Sequence, residues 1–378
     1  MIALLGACET PAPAAPAPPS STAATPGTGG SPSPTPASTP EPVVAFVRNL
    51  APEGSFERTL PAFQAVELAV ASAALAPEGP ITAEVVPFDT QGDPATTEEV
   101  ATEIAADSRV VAAISAPELP GQRAILERLA AAGVPILSLS ARQRVDGASP
   151  GTWLRLVAPD RVQAQVLAAT VASLRRAREG VCVVAPPPDG TRYASTVLRS
   201  LPEDVEATEV SDAAGARDAG CGIAVWAGDA IGGADLAIAL ATLEPRPLLV
   251  GGPALRDAAF LDLAGEAAEG AISLCSCADL STSLELEAQR FIQDYQSEYG
   301  RPPGPSAAEA WDAAQLVIRA LREGATGREE LLDRVGRVTE YRGLAGSYSF
   351  SGGELSDPWS AIRRARVAGG RWIEIDRG

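Results

Sequence analysis

Short apolar runs alternate along this chain with stretches whose apolar residues fall three and four apart. Val43–Val47 reads as a buried strand, Leu60–Leu75 as an alanine-rich amphipathic helix and Ile81–Phe88 as a strand. Glu98–Ala106 follows as a helix. From Val110 to Arg142 the plan is clearest. Val110–Ile114 is a strand, Ile125, Leu126 and Leu129 mark one face of a helix that Gly133 ends, and Val134–Leu137 is a second strand. Strand, loop, helix, strand is the repeating unit of a parallel sheet. Such sheets place their working loops beyond the carboxyl ends of the strands, here Ser115–Gly121 and Ser138–Arg142.

The same alternation resumes after a Gly-, Ser- and Pro-rich linker. A long helix, Val162–Arg178, leads to a strand at Val181–Ala185. Units at Tyr193–Leu201, Val205–Val210, Gly222–Trp226, Ala234–Thr242, Pro247–Val250, Phe260–Leu263 and Ala271–Leu274 continue it. Helices are expected over Leu284–Tyr299, Ala307–Arg322 and Glu329–Val335. Short strands at Gly346–Phe350 and Trp372–Ile375 close the chain. At 378 residues and 46% hydrophobic content there is enough material for two lobes, each with its own core.

Charge and composition narrow the chemistry. The net charge of -18 and the absence of a basic patch argue against nucleic acid and anionic membrane surfaces as partners. Histidine and lysine are both missing, so every basic residue is arginine. That removes imidazole acid–base catalysis, histidine metal ligation, Schiff bases and the phosphate-loop lysine together. No CxxC pair points to zinc. Cys275 and Cys277 stand two apart in an apolar run, so a continuous strand would send them to opposite faces, where they cannot easily bond.

At the start of the sequence, Leu5-Gly6-Ala7-Cys8 resembles the lipobox of bacterial lipoproteins, in which the cysteine is acylated after a cut before it. Glu9–Pro42 is almost wholly Pro, Ala, Ser and Thr and cannot bury a core. Together Met1–Cys8 and Glu9–Pro42 read as a partial lipoprotein signal followed by an extended, disordered spacer, a lipid tether through Cys8. No later apolar stretch is long enough to span a membrane.

The order of features from Val43 onward resembles the branched-chain amino-acid (Leu/Ile/Val) binding group of the type I periplasmic solute-binding proteins of ABC importers. The segments that carry the resemblance are Asp89-Thr90-Gln91-Gly92-Asp93-Pro94, Gly133–Ser138 with Ala141, and Ala267-Ala268-Glu269-Gly270. Phe291, Tyr295 and Tyr299-Gly300, then Ala310-Trp311-Asp312-Ala313-Ala314, then Gly346, Phe350-Ser351 and Gly353 complete the series. The resemblance implies an α/β fold of two doubly wound parallel-sheet lobes joined by crossover hinges. By analogy the first lobe holds residues 43–155 and 278–340 and the second 156–277 and 341–378. It further implies a small solute in the cleft between the lobes, hinge closure and a membrane permease as partner. No cofactor and no metal are expected.

In the family the solute's carboxylate is held by hydroxyls and backbone N–H groups of the loops that here carry Ser115, Ala116, Glu118, Ser138, Ser140, Ala141 and Arg142. Ala116–Pro120 replaces the usual hydroxyl-rich run. Arg142 stands where threonine is usual, and an arginine there can pair with a carboxylate, with Glu118, or with water. In the second lobe Asp189–Tyr193 resembles the loop whose tyrosine closes over the ligand. Trp226 and Asp229 are open to two readings, an apolar cover and a partner for a cationic group, or a core residue and a helix cap. The residue that pairs the ligand's ammonium in the family falls at Gly252-Pro253-Ala254, which carries no charge. This predicts a solute other than a plain branched-chain amino acid. If the second lobe has the strand order 2-1-3-4-5, Cys182 and Cys221 lie near one end of adjacent strands, and an exported protein can bond them.

Three functions compete. The first is the solute-binding lipoprotein of an importer on the extracytoplasmic face of the cell membrane. The second is a tethered sensor or cell-envelope interaction protein on the same fold. An enzyme is third, because no pair of carboxylates is recognisably placed for hydrolysis.

Overall fold

A computed structural model describes residues 40–51, 55–77, 79–117, 122–141, 152–175, 180–186, 190–281 and 283–375. Cys8, Glu118 and Arg142 lie outside the described residues, as does most of the spacer. Five strands form one sheet: β1 (Val43–Arg48), β2 (Glu84–Asp89), β3 (Val110–Ser115), β4 (Ile136–Ser138) and β5 (Trp153–Arg155), in the order β2-β1-β3-β4-β5. All its pairings are parallel. The period of two decides which layer each residue joins. Val44 and Phe46 pack on the face that carries helix α1 (Ser55–Ala74), while Val43, Ala45 and Val47 pack against α2 (Pro94–Ala106) and α3 (Gln122–Ala131).

A second sheet holds β6 (Gly180–Val184), β7 (Ala207–Val210), β8 (Cys221–Trp226), β9 (Leu248–Gly251) and β10 (Ile272–Cys275). These five are parallel and lie side by side as β10-β9-β8-β6-β7, which is 2-1-3-4-5 by position in the lobe read from the other edge. Helices α4 (Asp160–Leu174) and α5 (Gly190–Ser200) cover one face of it. Helices α6 (Ala213–Asp218), α7 (Ala230–Leu240) and α8 (Ala258–Ala264) cover the other. After β10 the chain returns to the first sheet, where α9 (Leu286–Tyr299), α10 (Ala307–Arg322) and α11 (Arg328–Gly336) complete the layer begun by α1. Two hairpins follow, β11–β12 (Tyr341–Arg342, Ser347–Tyr348) and β13–β14 (Phe350–Ser351, Glu354–Leu355). Tyr348 and Leu355 still bury in the first lobe. The antiparallel pair β15 (Arg363–Ala368) and β16 (Arg371–Glu374) then joins the second sheet beside β10.

Several sequence motifs turn out to build the frame. Asp93 caps α2, accepting from the Thr96 N–H at 2.8 Å with Pro94 as the first helical residue. Asp89 accepts from the Leu50 and Gln91 N–H groups and ties β1's exit to β2's. Tyr295 and Tyr299 donate to Gln64 of α1, at 2.9 Å each, and lock α9 onto it.

β15 escaped the sequence reading. Its arginines mask an alternation in which Ala365 and Val367 are buried and Arg366 between them is exposed. The geometry expected for Cys275 and Cys277 is also corrected. Cys275 is the last residue of β10, so the strand's alternation stops before Cys277, and the structure pairs the two with Cα atoms 5.2 Å apart. Cys182 and Cys221 are paired too, Cα atoms 5.7 Å apart on neighbouring strands β6 and β8.

Candidate functional site

The carboxyl ends of β3 and β4 bring the expected serines together. Ser115 donates its hydroxyl to Ser138 Oγ at 3.1 Å, and Ser138 Oγ also accepts from the Ser140 N–H at 3.3 Å. All three are buried, as is Ala116, while Ala141 is half-buried. This cluster therefore shapes the loop from within. It fixes the path of Ser138–Ala141 at the edge of the first lobe.

A residue that sequence reasoning passed over organises that loop. Arg155, the last residue of β5, is 1% exposed. Its Nη1 donates to the carbonyls of Ser140 (3.2 Å) and Ala141 (2.6 Å), and its Nε pairs with Glu354 of β14 at 3.1 Å. The guanidinium lies over the Trp153 ring, 4.5 Å from its centroid. Its backbone N–H donates to Gly353 at 2.8 Å, and Gly353 has φ +84°, where a side chain would strike the Trp153 carbonyl. A buried guanidinium needs such a set of acceptors, because desolvating it unpaired is costly. The signal available in the sequence was an arginine inside the apolar run Trp153–Val157.

Asp160 links this loop to the second lobe. Its backbone N–H donates to the Ala141 carbonyl at 3.0 Å, and it begins α4. Tyr193, in the first turns of α5, feels it. Burial first, and then the Asp160 charge, hold the Tyr193 hydroxyl above its ordinary pKa, so it stays protonated. That hydroxyl is buried without a hydrogen-bond partner and packs against Gly252, where an added Cβ would stand 2.9 Å from it. Gly252 directly follows β9, so the uncharged position expected opposite a ligand's amine faces a neutral phenol.

Trp226 and Asp229 take the second of their two readings. Trp226 is 4% exposed in the core beneath α7, donating its Nε1 to the Asp229 carbonyl at 2.6 Å. Gly228, Gly232 and Gly233 leave room for its ring. Asp229 caps α7 by accepting from the Gly232 N–H at 2.8 Å. The ring packs in the core and the carboxylate caps the helix. Glu118 and Arg142 are outside the described residues.

Two parallel sheets with crossovers between them, and a junction of polar groups at the carboxyl ends of their strands, define a two-lobed binding-protein fold. The sequence matches the model of the periplasmic binding protein family over residues 54–371, and the chain belongs to that family. Solved structures agree on the fold. The leucine-binding protein LivK of Thermotoga maritima superposes with a TM-score of 0.74 at 16% identity, covering 89% of this chain and 98% of that one. The substrate-binding protein LivJ of Streptococcus pneumoniae, a branched-chain amino acid transporter component solved with isoleucine, gives 0.72 at 19%, covering 89% and 100%. An ABC transporter substrate-binding protein of Desulfitobacterium hafniense complexed with leucine gives 0.72 at 17%, with the same coverage. No curated protein sequence matches significantly. No described helix is long and apolar enough to cross a membrane.

Proposed function

We propose that this chain is the solute-capturing component of an ABC importer. It is tethered by an acylated Cys8 on the extracytoplasmic face of the membrane and hands its solute to a permease. The solute is small and polar and carries a hydrogen-bond acceptor where amino-acid binders take an ammonium. The observation that carries this reading is the Tyr193 hydroxyl, buried, protonated and unpartnered against Gly252. A buried donor without a partner is costly, and a solute acceptor placed there removes that cost. A desolvated ammonium in the same place would meet no charge from Gly252-Pro253-Ala254 and would lose several kcal/mol, roughly. Arg142 supplies the charge for a solute carboxylate.

Thermal-shift and calorimetric titration of the mature chain tests this. The panel contains leucine, isoleucine and valine, the matching 2-oxo and 2-hydroxy acids, and small amides. A cleft ligand stabilises by mass action. The 2-oxo or 2-hydroxy acids, or the amides, are expected to raise the melting temperature. Tight binding of an amino acid with none of the others would overturn the solute class, and mass spectrometry showing an unmodified Cys8 would overturn the anchor.

A further inference from the structure

Two carboxylates that the solute site does not use lie one turn apart on α10 and grip the crossovers by which the chain passes between lobes. Glu309 Oε1 accepts from the Ala278 N–H at 2.7 Å, in the crossover that follows β10. Asp312 accepts from three donors of the β11–β12 hairpin, which leads into the next crossover: the Leu344 N–H at 2.7 Å, the Ala345 N–H at 2.8 Å and the Tyr348 hydroxyl at 2.9 Å. Gly343 passes so close to the Asp312 carboxylate that any side chain there would collide with it. Both acids are essentially inaccessible. Glu309 Oε2 is buried with no hydrogen-bond partner.

The second lobe answers these charges. Arg363 of β15 donates to the Ala345 carbonyl at 3.1 Å, on the residue whose N–H serves Asp312. The fields of Arg363 and of Arg256, which follows β9, both act on Glu309. Arg256 is shared with Asp279 at 3.3 Å, and Arg363 with Glu374 at 4.0 Å. Tyr341 and Tyr348 face Asp312, and Glu287 and Arg319 act in turn on Tyr341. Hydrogen bonds to an ionised acceptor are about twice as strong as neutral ones. The ionisation of this pair therefore sets how firmly both crossovers are held.

We propose that Glu309 and Asp312 form a proton-operated clasp on the hinge. Ionised, it holds the two return crossovers and the second-lobe arginines as seen here; on taking up a proton it releases them. The inference rests on the two-lobed fold and not on which solute is bound. Burial supports it by raising both carboxyls to about 7, against the donors that favour the charge. The Glu309 charge adds a little to the rise at Asp312, behind burial.

Amide hydrogen exchange of the full chain, corrected for intrinsic rates, tests the clasp between pH 8 and pH 5.5. Protection of Ala278, Leu344 and Ala345 is expected to fall about tenfold at the lower pH, the worth of one hydrogen bond. Amides of β1 should hold theirs. Asp312→Asn should abolish the step at Leu344 and Ala345, and Glu309→Gln the step at Ala278. Small-angle scattering of the wild-type chain should show the distance between lobes changing over the same range. Protection independent of pH in the wild type would overturn the proposal, whether or not the variants fold. So would a loss spread evenly over both lobes, or scattering that stays constant while the crossover amides respond.

Discussion

Arg328, the first residue of α11, donates its Nε to the carbonyl of Val110, the first residue of β3, at 2.8 Å across 218 residues of chain. The rest of its guanidinium reaches the carbonyls of Ile104, Ala105 and Asp107, where α2 ends, and of Ala132, just past α3. Helix ends leave carbonyls without intrahelical partners. One side chain satisfies those of two helices and anchors a strand as well. Arg328→Ala should therefore lower unfolding free energy by about 3 kcal/mol, several hydrogen bonds to a charged group being lost at once. Arg328→Lys should recover only part, since an ammonium lacks the planar fork. Urea unfolding of the three proteins measures this, and a lysine variant as stable as wild type would show that charge alone suffices.

Arg155 and Glu354 make a pair whose loss should be felt in both stability and binding. Removing one partner of a buried pair leaves the other uncompensated, at about 3 kcal/mol or more. Arg155→Met should destabilise the chain and free the Ser138–Ala141 loop. Glu354→Gln should cost less, because Glu354 is 29% exposed. A double-mutant cycle separates the pair from its parts, and a coupling energy near zero would show that the carbonyls of Ser140 and Ala141 alone hold the guanidinium.

Tyr193→Phe removes a hydroxyl that has no partner within the protein. Stability should hold or rise slightly, while affinity for the proposed solute should fall about tenfold. Gly252→Ala pushes a methyl against the same hydroxyl and should weaken binding with little change in the urea midpoint. Calorimetry beside urea melts distinguishes the two effects. Loss of stability without loss of affinity in Tyr193→Phe would remove the residue from the site.

Glu309 and Asp312 also fix the sign of the pH dependence of stability. Their carboxyls are raised in the folded chain from 4.5 and 3.8 to about 7, chiefly by burial. Between those values the folded chain keeps protons that the unfolded chain has released. Their contribution is full below about 4 and is lost as pH rises through about 7. Asp93, Asp107 and Glu330 are shifted the other way by hydrogen bonds, so their contributions fade only at more acid pH. Urea midpoints should be higher at pH 5 than at pH 8, and Asp312→Asn with Glu309→Gln should flatten the difference. The same proton that loosens the crossovers thus relieves the cost of burying charge.

Cys182 and Cys221 should appear as a linked peptide pair in unreduced digests of protein isolated from an oxidising compartment. Replacing both by serine should cost about 2–4 kcal/mol. Free thiols at both positions in such a preparation would contradict the bond.

Local pattern alone determined most of the framework. The alternation of apolar runs with helical spacing gave α10 over Ala307–Arg322 with its ends correct, and gave most strands of both sheets, because a strand buried on two faces must be apolar throughout. It missed β5, which ends in Arg155, and β15, whose three arginines break the apolar run. It started α1 at Leu60, whereas the helix begins at Ser55, through a polar first turn and Pro61. The serines of the site were legible because they end strands. Tertiary structure alone decided which polar residues face inward. Arg155, Arg328, Glu309 and Asp312 look like solvated charges in sequence, and each is buried or half-buried against carbonyls or N–H groups far along the chain. Trp226 and Asp229 likewise went to core and cap only once α7 was laid across β8. A charge's partner is set by where the backbone runs, and that is a property of the whole packing and not of any window of sequence.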